Sequence, residues 1–145
     1  MSKAENFFAS AEQQEIILAI QAAEKITSGE IRIHLESSCP GEPMQRAQYW
    51  FGKLRMQDTQ AHNGVLIYIA TADKKCAILG DAGIHAQVPD NFWDLIIHNM
   101  LADFSAGNYV PGLTAAIHAV GEQLKQYFPL QPDDINELSD EITFS

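Results

Sequence analysis

The run Val65-Leu66-Ile67-Tyr68-Ile69-Ala70 leaves this chain few folding options. A strand with no polar face must be covered on both sides, which places it in the middle of a sheet packed between helices. Asn63-Gly64 precedes it as a turn signal. Asp73-Lys74-Lys75 follows and leads into a second apolar run, Cys76-Ala77-Ile78-Leu79. The two runs are expected to form a hairpin. Upstream, Glu30 to Glu36 alternates, with Ile31, Ile33 and Leu35 on one side and Arg32 and His34 on the other. That pattern predicts a half-buried strand, with His34 pointing outward.

Helical periodicity supplies the covering layers. Ser10 and Gln13 have the spacing of a capping box, and Ile16, Ile17, Ile20 and Ala23 give the following helix an apolar face. A second helix is expected from about Met44 to Met56, with Ala47, Trp50, Phe51 and Leu54 inward. A third opens at Asp90 as its N-cap, carries Phe92, Trp93, Ile96, Ile97, Met100, Leu101 and Phe104 as core, and stops at Gly107. A fourth, from about Pro111, buries Leu113, Ile117, Val120, Leu124 and Phe128 and is halted by Pro129. The fold class this order implies is α/β, a three-layer α/β/α sandwich of Rossmann-like appearance around a small mixed sheet containing the hairpin. Residues 1–130 read as a single domain and residues 131–145 as an acidic, solvated C-terminal tail.

The chain has 145 residues, room for one core, and carries 19 acidic against 9 basic residues, a formal net charge of -10. Phosphate backbones are bound by clustered Lys and Arg, so a nucleic-acid partner is not expected. An anionic membrane surface is disfavoured for the same reason, and no apolar run is long enough to span a bilayer. The N-terminus shows no signal-peptide pattern, so a cytoplasmic location is expected. Two cysteines, Cys39 in a turn and Cys76 in a strand, are then expected to stay reduced, with no basic neighbour in sequence to activate Cys39.

Familiar enzyme signatures are missing from the sequence. There is no phosphate-binding Gly-rich loop ending in Lys, no Gly-x-Ser-x-Gly elbow, no His-Glu-x-x-His and no Cys-x-x-Cys. No nucleophile is identified, and the catalytic residues stay unknown. What remains is geometric. If the first two strands are parallel through a right-handed crossover, the returning hairpin strand ends where both begin. Glu30, Asn63 and Asp81 then share one edge of the sheet, and Asp90 lies a few residues on. Oxygen donors converging on a Gly-rich loop suit a hard divalent cation, Ca²⁺ or Mg²⁺. This edge is the opposite one from that at which ligands usually bind in open α/β sheets. Each residue also has a plainer role: an Asx turn for Asp81, a helix cap for Asp90, a solvated strand start for Glu30. His62 and His85 flank the edge as an acid or as softer ligands, whereas His98 and His118 belong to helix surfaces.

Taken in order, Ser28-Gly29-Glu30-Ile31, Asn63-Gly64-Val65-Leu66-Ile67-Tyr68 and Gly80-Asp81-Ala82-Gly83-Ile84 resemble the successive motifs of the TPM domain family, also called the TPM phosphatase family. Val88-Pro89-Asp90, Phe104, Gly107-Asn108-Tyr109 and Gly112-Leu113 are similar to its closing motifs. The resemblance implies an α/β/α sandwich and, in members, a calcium or other divalent-cation site near this loop. Asp81 and Asp90 match the family's acidic loop positions, and Glu30 the acidic position of its first strand motif. It further implies a short, soluble bacterial branch, and acid phosphatase activity in some members. Three functions are therefore weighed: a cation-binding accessory domain, a metal-assisted phosphatase on phosphomonoesters, and a module that engages an unidentified protein partner through the tail or the outer helix faces.

Overall fold

A computed structural model of the chain describes residues 3–132 and 138–145. A 3-10 turn (Lys3–Asn6) leads into α1 (Ser10–Glu24), β1 (Glu30–Glu36), α2 (Pro43–Lys53), β2 (Gly64–Ala70) and β3 (Lys75–Gly80). Then come the single turn α3 (Ala82–His85), α4 (Asp94–Ser105), α5 (Tyr109–Tyr127) and the short β4 (Thr143–Phe144). The sheet order is β3-β2-β1-β4. β1 and β2 are parallel, in register from Glu30 opposite Gly64 to Glu36 opposite Ala70. β2 and β3 form the expected antiparallel hairpin, from Val65 opposite Gly80 to Ala70 opposite Lys75.

The side-chain period of two sorts these strands into two cores. Ile31, Ile33, Leu35, Val65, Ile67, Ile69, Cys76 and Ile78 face α1, α4 and α5, where Ile16, Ile20, Met100, Phe104, Leu113, Ile117 and Val120 meet them. Leu66, Tyr68, Ala70 and Ala77 face the other way, under Ala47 and Phe51 of α2, with Met56, Cys39 and Leu138. Every residue of β2 is consequently buried. The α/β/α sandwich is the architecture the uninterrupted apolar run requires. Cys39 and Cys76 are buried free thiols on opposite faces of it. No helix among the described residues is long and apolar enough to cross a membrane.

Four local readings need correction. His34 does not point outward: it is fully buried, because α2 and the chain's last residues cover that face of β1. Its ring stacks on Trp50 at 4.1 Å, with Nδ1 2.7 Å from Thr143 Oγ1 and Nε2 2.9 Å from Ser145 Oγ. The described end of the tail is likewise not a solvated run. Leu138 and Ile142 are buried, and Thr143 and Phe144 pair in parallel with His34 and Leu35 as a fourth strand. Asp133, Asp134 and Glu137 lie outside the described residues.

At the start of α1 the cap is Ala9, one residue ahead of Ser10. Its N–H donates to Glu12 Oε1 at 2.8 Å, a carboxylate being a stronger acceptor than the Gln13 amide. Gln13 instead donates from Nε2 to Phe8 O. Finally, the stretch expected to enter a helix at Asp90 is divided. Asp81 caps the one-turn α3, and α4 begins only at Asp94, after Trp93. Pro89 lies in the connecting turn, where it accepts from Phe92 N. Gly107 ends α4 as expected, with φ of +83°.

Candidate functional site

The start of β1, the start of β2 and the end of β3 meet at one edge of the sheet, as the hairpin register demands. Asn63 holds that edge together. Its carbonyl accepts from Glu30 N at 3.2 Å and its Nδ2 donates to Ser28 O at 3.1 Å. Asp81 N donates to Gly64 O at 2.9 Å, which places Asp81 directly across from the start of β2. Asn63 and Asp81 are therefore brought together around Gly64, as the sequence predicted.

The turn that follows is built by Gly83. Its N–H donates to His62 O at 2.9 Å, and a Cβ here would lie 2.6 Å from that same oxygen and closer still to Ala61 O. Only glycine permits this approach of α3 to the 59–63 loop. Asp81 caps α3 by accepting from Ala82 N at 2.7 Å through Oδ1. Its other oxygen, Oδ2, is buried with no hydrogen-bond partner among the described residues, and His62 Nδ1 stands 3.5 Å away. Asn63 Oδ1 and Thr59 Oγ1 are buried and unpartnered in the same way. Unpaired buried oxygens are rare and costly, and here three of them belong to one loop and the residue facing it.

Glu30 shares this edge through its backbone, opposite Gly64, but its carboxylate is engaged by another segment, and Asp90 lies apart. Asp90 is almost fully exposed, 3.8 Å from His85 Nε2, on the rim of a groove of about 190 Å³ between α2, α3 and the turn before α4. Met44, Leu79, Ile84, Val88 and Trp93 supply its apolar walls. Glu30 is buried, and its Oε1 accepts from Leu138 N at 2.7 Å, so its carboxylate holds the C-terminal segment. Among the described residues, no group of three or more His, Cys, Asp and Glu side chains is placed to share a metal ion.

At the opposite, carboxyl edge of the parallel strands the structure contains a polar centre that the sequence reading missed. Glu36 accepts from Arg46 Nε at 2.9 Å and Nη2 at 2.6 Å, from Trp50 Nε1 at 3.2 Å and from Tyr68 Oη at 2.9 Å. Burial alone would raise the Glu36 carboxyl, but the Arg46, Tyr68 and Trp50 donors and the Arg46 charge together hold it below the usual range. Burial drives the Tyr68 hydroxyl far up, and pushes the neighbouring His34 imidazole down to about 4. The signal was available in part: Arg46 and Trp50 lie one turn apart on the crossover helix that returns over Glu36. The set is fully satisfied internally, so it reads as a structural network.

The comparisons agree with this fold. The family model of the TPM domain matches residues 1–123. The NMR structure of BA42 protein, from the psychrophilic bacterium Bizionia argentinensis, is similar over 100% of both chains, with 43% identity and a TM-score of 0.90. The N-terminal domain of the cg2496 protein from Corynebacterium glutamicum matches 81% of this chain and 74% of its own, at 18% identity and a TM-score of 0.64. An N-terminal domain from P. gingivalis matches 88% and 82%, at 22% identity and a TM-score of 0.63. These last two speak for the fold alone. No curated protein matches the chain. The family match spans most of the sequence, and the chain belongs to the TPM domain family.

Proposed function

We propose that this protein is a divalent-cation-binding TPM domain with an accessory, partner-engaging role, in which the ion orders the Gly80–Asp90 loop. The observation that carries this reading is the buried Asp81 Oδ2, which accepts no hydrogen bond and has His62 Nδ1 at 3.5 Å, with Asn63 Oδ1 also buried without a hydrogen bond in the loop that meets Asp81 at Gly64. A carboxylate oxygen withdrawn from water without a donor is destabilising, and a hard cation relieves it. Calcium accepts amide and backbone carbonyl oxygens as readily as carboxylates, so it does not require three acidic side chains in contact. In this reading Asp81 and Asn63 supply fixed oxygens, and Asp90, exposed on the rim of the groove, supplies a second carboxylate as the loop closes. Glu30 remains with Leu138.

Titrating calcium or magnesium into the labelled protein tests the site. The amides of Asn63 and of residues 81–90 are expected to shift at up to millimolar ion, and Asp81→Asn to weaken binding by about 10–100-fold or more. If no loop amide moves at millimolar concentrations of either ion, the reading is wrong. A metal-assisted phosphatase would use the same ion to activate water. The residues lining the adjacent groove include no Lys or Arg to receive a phosphoryl group, so binding without turnover is the reading favoured. Turnover of a phosphomonoester by the parent that Asp81→Asn abolishes would reverse that preference.

A further inference from the structure

The segment 138–145 crosses the outer edge of β1 with very little ladder, since only His34 and Leu35 have β4 partners. Side chains do the rest. Leu138 N donates to Glu30 Oε1, and Thr143 Oγ1 reaches Ile33 O at 3.2 Å. Ser145 N donates to Leu35 O at 3.0 Å, and both His34 nitrogens meet hydroxyls of the segment. Between these contacts Glu24, at the end of α1, accepts from Ile31 N at 2.9 Å and is hydrogen-bonded to Asp140 of the segment. Two carboxyl groups bond to each other only when one of them carries a proton.

We propose that residues 138–145 form a proton-latched strap, which docks on β1 with one proton held between Glu24 and Asp140 and opens when that proton is lost. Besides Asp140, Glu30 on β1 faces Glu24. Arg32 on β1 faces Asp140 and Glu141, its guanidinium pKa lowered by burial. Burial first, and then the Asp140 hydrogen bond, raise the Glu24 carboxyl from 4.5 to about 9, against the Ile31 N–H, which lowers it. A raised acid supports docking fully below 4.5 and loses that support as pH climbs to about 9.

His34 works in the opposite sense. It faces Glu36 and Arg32 on β1 and Arg46 on α2, and burial holds it at about 4 instead of 6.5. Its support is complete above 6.5 and fades as pH falls to about 4. Between 4.5 and 6.5 the two slopes cancel. Above 6.5 only the Glu24 slope is left, and the docking constant should fall by up to about tenfold per pH unit, at most on the order of 100-fold by pH 9 if the strap supplies all of the burial. Opening would uncover Leu138 and Ile142 and the edge of β1 within the physiological range.

Methyl NMR of the full chain, with saturation transfer to detect a minor state at Leu138 and Ile142, tests the latch. In the parent, the ratio of open to docked strap is expected to rise with pH from 6.5 to 9, by up to about 100-fold. In Glu24→Gln the ratio should stay flat, because the amide donates to Asp140 without a titrating proton and still accepts from Ile31 N. Asp140→Asn removes the second cause of the raised Glu24 carboxyl and leaves its burial, so its slope should be shallower than the parent's, and it alters only the half-buried strap residue. A parent ratio that does not change over this range, or an open state that stays undetected at pH 9, overturns the proposal. So does the parental slope persisting in both variants.

Discussion

Glu36→Ala is expected to destabilise the protein by about 3–5 kcal/mol in equilibrium unfolding, a cost typical of removing one partner of a buried ion pair. The magnitude follows from what is left behind. Arg46 loses its bidentate partner, Trp50 Nε1 loses its acceptor, and the Tyr68 hydroxyl stays in a site closed to water. The Arg46 side chain is 25% exposed and recovers some hydration, which argues for the lower half of that range. Glu36→Gln keeps an acceptor for Tyr68 and Trp50 and should cost less. Because the folded carboxyl lies below 4.5, its contribution is present above pH 4.5 and is lost as pH falls through the folded value. The alanine variant should accordingly lose part of the parent's stability gain between acid and neutral pH. A cost under about 1 kcal/mol would mean that water reaches this network and that it behaves as a surface pair.

The second large effect is expected at the amino edge. Gly83→Ala places a methyl group against two successive carbonyl oxygens, Ala61 O and His62 O. Neither belongs to a flexible side chain, so backbone must move. Overpacking of this kind costs about 1–3 kcal/mol, or roughly 2–4 °C in Tm for each kcal/mol in a chain of this size. The distinguishing observation is where the change falls. Amide shifts should concentrate at residues 59–64 and 81–85, on both sides of the contact, and the cation affinity predicted for Asp81 should fall with them. An unchanged Tm, with unchanged His62 and Asp81 amides, would show that the turn has slack the geometry does not suggest.

Much of this architecture was legible because short-range pattern and long-range packing agree. The Val65–Ala70 run could only be a central strand, and Ile31, Ile33 and Leu35 alternate toward the larger helical layer as their spacing requires. The hairpin register then carried Asp81 to Asn63 without further information. His34 was misread for a physical reason. Alternation identifies a polar face, but a sheet covered on both sides buries that face too, and its polar groups are satisfied by partners instead of water. β4 was unreadable since two residues among acidic neighbours make no pattern. The partner of Glu30 is Leu138, 108 residues away, and nothing local in either segment reports the other. Asp90 shows the remaining limit. Its place in the sequence suggested a cap, but Pro89 keeps the chain in a turn, and the helix starts only after the aromatic pair Phe92-Trp93 has packed.

The side-by-side placement of β1 and β4 has a consequence for the order in which the molecule is made. His34 and Thr143 are separated by 109 residues. At ribosomal rates of 5–20 residues per second, roughly 5–20 s pass between the synthesis of the two. Throughout that interval a nascent chain that has already paired β1 with β2 presents the other flank of β1 to its surroundings, an open template for a neighbouring polypeptide. The residues on its polar face, Glu30, Arg32, His34 and Glu36, are hydrophilic and mostly charged, the composition that discourages edge-to-edge association. Glu30, Arg32 and His34, which later meet the final segment, thus serve first as guards of an unfinished sheet.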